Sequence, residues 1–147
     1  MIQFNKDGFI TPAEVIESDL VTFEKIFVFN EHRQLIFQEY LLFLDELKAL
    51  HIGSFYQWLN GSFTTLKSKP NDIDVVTFLD FNELKKHQEQ LYLIKKEFKK
   101  RKIDNYLVSI YPSTHSDQNL FKLDKAEWLF DFSMRSKQPK GFIQINF

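Results

Sequence analysis

Leu59-Asn60-Gly61-Ser62, then the nine residues 63 to 71, then Asp72-Ile73-Asp74-Val75: the reading of this chain turns on that stretch. Phe55 to Leu59 is aromatic and apolar and reads as a strand. Asn60-Gly61-Ser62 reads as a tight turn, Thr64 to Asn71 as a polar loop closed by Pro70, and Asp72 to Leu79 as a second, central strand. Residues two apart on a strand share a face, so Asp72 and Asp74 are expected to point the same way. Carboxylates that close repel each other, and a divalent cation relieves the repulsion. An oxygen-only site suits magnesium, which takes further ligands from substrate phosphates. Two such ions can hold the attacking and leaving oxygens of a phosphoryl displacement. Gly61 lets the backbone turn sharply and approach phosphate closely, and Ser62 adds a hydroxyl and an N–H. Singly these elements are weak. An Asp-x-Asp pair usually lies on a solvated strand face, and a Gly-Ser pair is usually a plain turn. Their order and spacing give them weight.

Upstream, Asn30 precedes a helical stripe of Leu35, Ile36, Tyr40, Phe43, Leu44, Leu47 and Leu50 that ends at Gly53. Ser18 to Phe27 reads as a shorter helix. Asn5 to Pro12 reads as irregular, and Thr11-Pro12-Ala13-Glu14 as a capped helical turn with Pro12 in its first position. Downstream, Asp80 or Asn82 caps a helix running to about Arg101. Ile103 to Tyr111 reads as a third strand, Asp124 to Phe132 as a short helix, and Gly141 to Phe147 as a last strand. Strands with helices between them predict an α+β fold, an α/β sandwich with a mixed sheet of three to five strands flanked by helices.

Composition narrows the chemistry. The 147 residues suit one domain with a real core. Without cysteine there is no disulfide, thiolate zinc site or cysteine nucleophile. No apolar run is long enough for a membrane span, the N-terminus does not read as a signal peptide, and a cytoplasmic protein without a membrane partner is expected. A formal charge of −1 argues neither for nor against nucleic acid. Most of the 17 phenylalanines are expected in the core, with a few left to mark a partner surface.

The glycine turn and the Asp-x-Asp strand resemble the signature of the DNA-polymerase-beta-like nucleotidyltransferase superfamily: an apolar residue, Gly, Gly or Ser, about ten residues, then Asp, apolar, Asp or Glu, apolar. The chain is similar, closer still, to small bacterial nucleotidyltransferase-like proteins. The matching residues are Phe4-Asn5-Lys6-Asp7-Gly8, Gly61-Ser62-Phe63, Thr65, Lys67, Pro70 to Asp74 and Lys140-Gly141-Phe142-Ile143. The resemblance implies one nucleotidyltransferase-like domain over residues 1–147 with a helical N-terminal part. It implies a third carboxylate on a neighbouring strand, for which Asp104 is the candidate. Asp72, Asp74 and Asp104 are then the expected catalytic and metal-binding residues, holding one or two magnesium ions, with Asp104 also a base for the acceptor hydroxyl. Gly61, Ser62 and Lys67 are the expected contacts to a nucleoside triphosphate substrate, with a solvated loop lysine the competing reading of Lys67. The implied reaction transfers a nucleoside monophosphate to a protein, RNA or small-molecule acceptor, in a toxin–antitoxin or defence context. The alternative is a catalytically degenerate, antitoxin-like module that binds a triphosphate or another protein. The chain offers no obvious acceptor-binding domain, so a protein partner or a homodimer is expected to supply that platform.

Other residues carry blander readings. His32, His51, His87 and His115 show no ligand spacing and suit surface or capping roles. The basic run from Lys95 to Lys102 reads as a solvated helix end in preference to a nucleic-acid contact. Arg33 and Arg135 are candidates for site residues or ion-pair partners, and Trp58 and Trp128 for core or edge aromatics. No Gly-x-Ser-x-Gly elbow and no P-loop sequence is present.

Overall fold

A computed structural model of the chain describes residues 2–134 and 138–147. A hairpin of β1 (Gln3–Phe4) and β2 (Ile10–Thr11) leads into β3 (Val15–Ser18), α1 (Leu20–Phe27) and α2 (Glu31–Ala49). Next come β4 (Tyr56–Asn60), a 3-10 turn (Ser62–Thr64), β5 (Ile73–Asp80), α3 (Phe81–Lys86), α4 (Gln88–Lys99) and β6 (Ile103–Ile110). Helix α5 (Gln118–Ser133) and β7 (Phe142–Asn146) close the chain. The fold is α+β. Five strands form one mixed sheet in the order β3-β7-β4-β5-β6, antiparallel on both sides of β4 and parallel in the outer pairs.

The alternation of the strands builds two apolar layers. Leu59, Ile73, Val75, Leu79, Ile103, Ile143 and Ile145 face α1, α2 and α4, which contribute Phe23, Phe27, Phe37, Phe43, Leu47 and Phe98. Trp58, Val76, Phe78, Val108 and Phe142 line the other face, with Phe121, Trp128 and Phe132 of α5 packed on them. A buried hydrogen-bond chain crosses the first layer. The Tyr40 hydroxyl donates to Gln57 (2.5 Å), whose amide donates to Thr77 (3.0 Å), whose hydroxyl donates to Asn105 (2.7 Å). It pins α2 to β4, β5 and β6.

Several local expectations need correction. Thr11-Pro12-Ala13-Glu14 is not a helical turn. Thr11 ends β2, the Thr11–Pro12 bond is cis, and the chain bends into β3. The first helix starts at Leu20, because Ser18 belongs to β3 and Asp19 caps the helix by accepting from the Thr22 N–H (2.8 Å). The helix expected to run to Arg101 is two helices divided at His87, whose backbone (φ −111°, ψ 21°) leaves the helical conformation. Asp80 is the cap of the first. The helix expected from Asp124 begins at Gln118. On α2 the stripe is right except at Leu35, which is 60% exposed, while Arg33 and Phe37 are buried. Ten phenylalanines are buried, and Phe29 and Phe130 are exposed. Among the described residues no helix is long and apolar enough to cross a membrane.

Candidate functional site

The parallel pairing of β5 with β6 sets the site. Asp74 is the register partner of Asp104, and on the other side of β5 Asp74 pairs with Asn60 of β4. Partners across a ladder share a face, so Asp74 and Asp104 stand together on the α5 side of the sheet. Asp72 lies one residue before β5 rather than within it. It still feels its neighbours: burial and then the charge of Asp104 raise its pKa above the ordinary carboxylate value. Asp74 is half-buried and pushed up to about 6 by burial, then by Asp72 and by Asp104, with Lys140 pulling the other way. The three carboxylates expected from the sequence therefore act on one another. Tyr106, two residues along from Asp104, donates a long hydrogen bond to it (3.4 Å) and is flanked by the Trp128 ring and the Lys95 ammonium.

Gly61 sits against this group. Its backbone (φ 80°, ψ −164°) lies in a region only glycine occupies readily. A side chain here would collide with Oδ2 of Asp74. The chain then makes its 3-10 turn and enters the loop to Pro70. Arg33 holds that loop. Its guanidinium is fully buried and donates to the carbonyls of Phe27 (2.9 Å), Phe63 (2.6 Å), Thr65 (2.7 Å) and Lys67 (2.6 and 3.0 Å). The rings of Phe29 and Phe63 lie against it. Burial lowers its pKa to about 10. Arg33 is thus neither a site contact nor an ion-pair partner among the described residues. It clamps the backbone that follows Gly61. Arg135, the other arginine singled out, lies outside the described residues.

Ser62 and Lys67 meet in an open cleft of about 520 Å³ beside the glycine turn, with the hairpin turn at Asn5 to Phe9 on one side and Lys140 on another. The structure thus brings Gly61, Ser62, Asp72, Asp74 and Asp104 into one region, with Lys67 in the adjoining cleft. Sequence reasoning gave Tyr106 no role, read Asn60 only as part of the turn, and named Lys6 and Lys140 only within matching segments. No spacing marks these four, because each reaches the region through a different element.

The remaining candidates fall elsewhere. His32 stands 2.6 Å from the Pro70 carbonyl, His87 3.5 Å from Glu83, and His115 3.9 Å from Asp117. In the basic run Arg101 pairs with Glu39 (2.6 Å), and Lys96, Lys99, Lys100 and Lys102 are exposed. Trp58 is buried and donates to Gln144 (2.9 Å), and Trp128 packs on Tyr106 and Phe132.

Oxygen donors alone, on three neighbouring aspartates, are the chemistry that suits a hard divalent cation, and the Lys140 ammonium near Asp74 opposes it. The geometry is less complete. Among the described residues no group of three or more His, Asp or Glu side chains stands ready to hold a metal ion. Mutual repulsion would splay such carboxylates.

The chain belongs to DUF6932, a family of unknown function whose model matches residues 2–146. No curated protein and no solved structure matches it.

Proposed function

We propose that the protein is a magnesium-dependent nucleotidyltransferase that moves a nucleoside monophosphate from a nucleoside triphosphate to an acceptor hydroxyl. The observation that carries this reading is the mutual approach of Asp72, Asp74 and Asp104 beside the side-chain-free turn at Gly61. The acceptor oxygen attacks the α-phosphorus, the bond from that phosphorus to the bridging oxygen breaks, and pyrophosphate leaves. Asp104, on the edge strand β6, takes the proton of the attacking hydroxyl. Gly61 gives the phosphates room, and the Ser62 hydroxyl and N–H are donors for their oxygens. Asp72, Asp74 and Asp104 would hold magnesium, which would supply positive charge to offset that on the transferring phosphoryl group. A protein, an RNA or a small molecule is the proposed acceptor, in a toxin–antitoxin or defence setting with a protein partner or a second copy of the chain completing its platform.

Calorimetric titration of each nucleoside triphosphate, with and without magnesium, into wild type and Asp74→Asn tests the reading. Magnesium-dependent binding in wild type, lost in the variant, is expected. Wild-type protein that binds no triphosphate under either condition sinks it. One observation favours a second reading, a degenerate module that binds a triphosphate or a protein without turnover: the three aspartates form no ready metal set. Triphosphate binding indifferent to magnesium, without pyrophosphate release, would select it.

A further inference from the structure

The cleft beside Gly61 has a composition of its own. Three segments far apart in the chain build it: residues 5–9, 62–67 and Lys140. Each brings one lysine, Lys6, Lys67 and Lys140, against the single carboxylate of Asp7. The lining therefore carries three positive charges and one negative, a net of +2. Asp7 is engaged elsewhere, accepting from the Gln138 amide (2.9 Å). Among the described residues none of the three lysines is in an ion pair. Lys140 is half-buried, and a half-buried ammonium needs a counter-charge. Burial draws its pKa down and Asp74 draws it back up, so Lys140 lies within electrostatic reach of both the cleft and the carboxylates.

The walls are tied together. The Leu66 N–H donates to the Gly8 carbonyl (3.0 Å), and Phe9 bridges Thr65 in antiparallel fashion. On the other flank the Gly141 N–H donates to the Ile10 carbonyl (2.8 Å). A Cβ at Gly141 would lie 2.5 Å from the Pro12 carbonyl oxygen, so the segment before β7 and the bend after β2 touch there. The N-terminal hairpin thus fixes the lysine before Gly141 and the loop of Lys67 relative to each other. A cleft of about 520 Å³ falls within the range of small-molecule sites, about 300–1,000 Å³.

We propose that this cleft holds the β- and γ-phosphates of the triphosphate, with Lys6, Lys67 and Lys140 contacting their oxygens and the N-terminal hairpin forming the wall that places them. The identity of the phosphate donor rests on the nucleotidyltransferase reading, but the cleft's preference for a chain of phosphates does not. Three separate cations around one opening match a polyanion with several charged groups, and Ser62 lines the cleft while its neighbour Gly61 abuts Asp74. Phosphates seated there put the α-phosphorus on the carboxylate side.

The test titrates inorganic tripolyphosphate, without magnesium, into the intact chain. Wild type should bind it, more weakly as salt rises. Lys140→Gln and Lys6→Gln should each weaken binding about tenfold, the loss expected for one charge-assisted contact. Lys140→Arg should restore most of it, and Lys96→Gln, an exposed lysine on α4, should change nothing. Lys6 is exposed on the hairpin turn, so its substitution reports on the cleft even where Lys140→Gln perturbs folding. Tripolyphosphate binding that obeys this pattern, with no nucleoside monophosphate transferred and no pyrophosphate released from any triphosphate, would support the cleft and remove the nucleotidyltransferase reading. Transfer activity whose KM is untouched by Lys6→Gln and Lys140→Gln, with tripolyphosphate failing to compete, would overturn the cleft and leave that reading standing.

Discussion

Asp74→Asn is expected to make the metal-free protein more stable at pH 8, although it removes the proposed activity. Asp74 accepts no hydrogen bond from the described residues' side chains or loop backbone, so the amide loses no such partner. What it removes is charge. Asp74 has a folded-state pKa of about 6 against an ordinary 3.8. Between those values the folded chain keeps a proton that the unfolded chain has released, so stability falls as pH rises through the window. Above about pH 6 the whole penalty stands. The displacement corresponds to at most about 3 kcal/mol, at about 1.4 kcal/mol per tenfold, and screening at a half-buried site reduces it to about 1–2 kcal/mol. Asp72 shifts in the same direction and keeps part of the repulsion in the variant. Urea denaturation followed by tryptophan fluorescence, at pH 4 and pH 8, reads the effect. The variant should match wild type at pH 4 and exceed it at pH 8. Magnesium at about a hundred times its Kd should reverse the order, because a ligand bound only by the folded state then stabilises by about 2.7 kcal/mol, and only wild type should gain. An Asp74→Asn protein less stable than wild type at pH 8 without metal would refute the claim that burial, then Asp72 and Asp104, penalise the ionised Asp74.

Gly61→Ala should cost about 1–3 kcal/mol from backbone conformation alone and displace the Asp74 side chain, so thermal melting should show both a lower Tm and the loss of any magnesium-dependent rise. Arg33→Met should destabilise by about 3 kcal/mol or more, since it leaves several buried carbonyls without a donor at about 1–3 kcal/mol each. Arg33→Lys should recover little in the same urea assay, because an ammonium cannot reproduce the guanidinium fork. Tyr40→Phe should cost about 1–3 kcal/mol by orphaning the acceptor on Gln57, again read from urea midpoints, and should leave nucleotide binding unchanged.

What could be read in advance was whatever depends on neighbours in sequence. The β5 stretch Ile73–Asp80 announces itself by its apolar run, and Gly61-Ser62 by its turn chemistry. Asp104 is named through the resemblance, as the acidic residue at the start of the next strand, and the structure's parallel crossover through α3 and α4 aligns the starts of β5 and β6. Strand β3 could not be read. It is four residues long and exists through pairing with β7, Val15 opposite Phe142, at the far end of the chain. The start of α5 was missed because that helix is apolar on more than one face. Leu120, Leu123 and Phe130 point outward while Phe121 and Phe132 pack inward, so no single stripe marks its first turn.

Arg33 and Lys140 show the same limit at the site. A lone arginine beside a helical stripe reads as a site residue or an ion-pair partner, and only the carbonyls of residues 27 and 63 to 67, converging on one point, turn it into a buried clamp. That clamp explains how a polar loop keeps a fixed path after the strained turn at Gly61. Lys140 acquires its place from the hairpin, which ties Gly141 to Ile10 and Leu66 to Gly8. If the carboxylates are the reacting end of the site, the loop and the hairpin are what fix its other end. On the proposed reading, Asp72, Asp74 and Asp104 would supply the chemistry of phosphoryl transfer, and the loop and hairpin would fix where the phosphates lie. That placement would require the hairpin of residues 3–11 as much as the strand that carries Asp74.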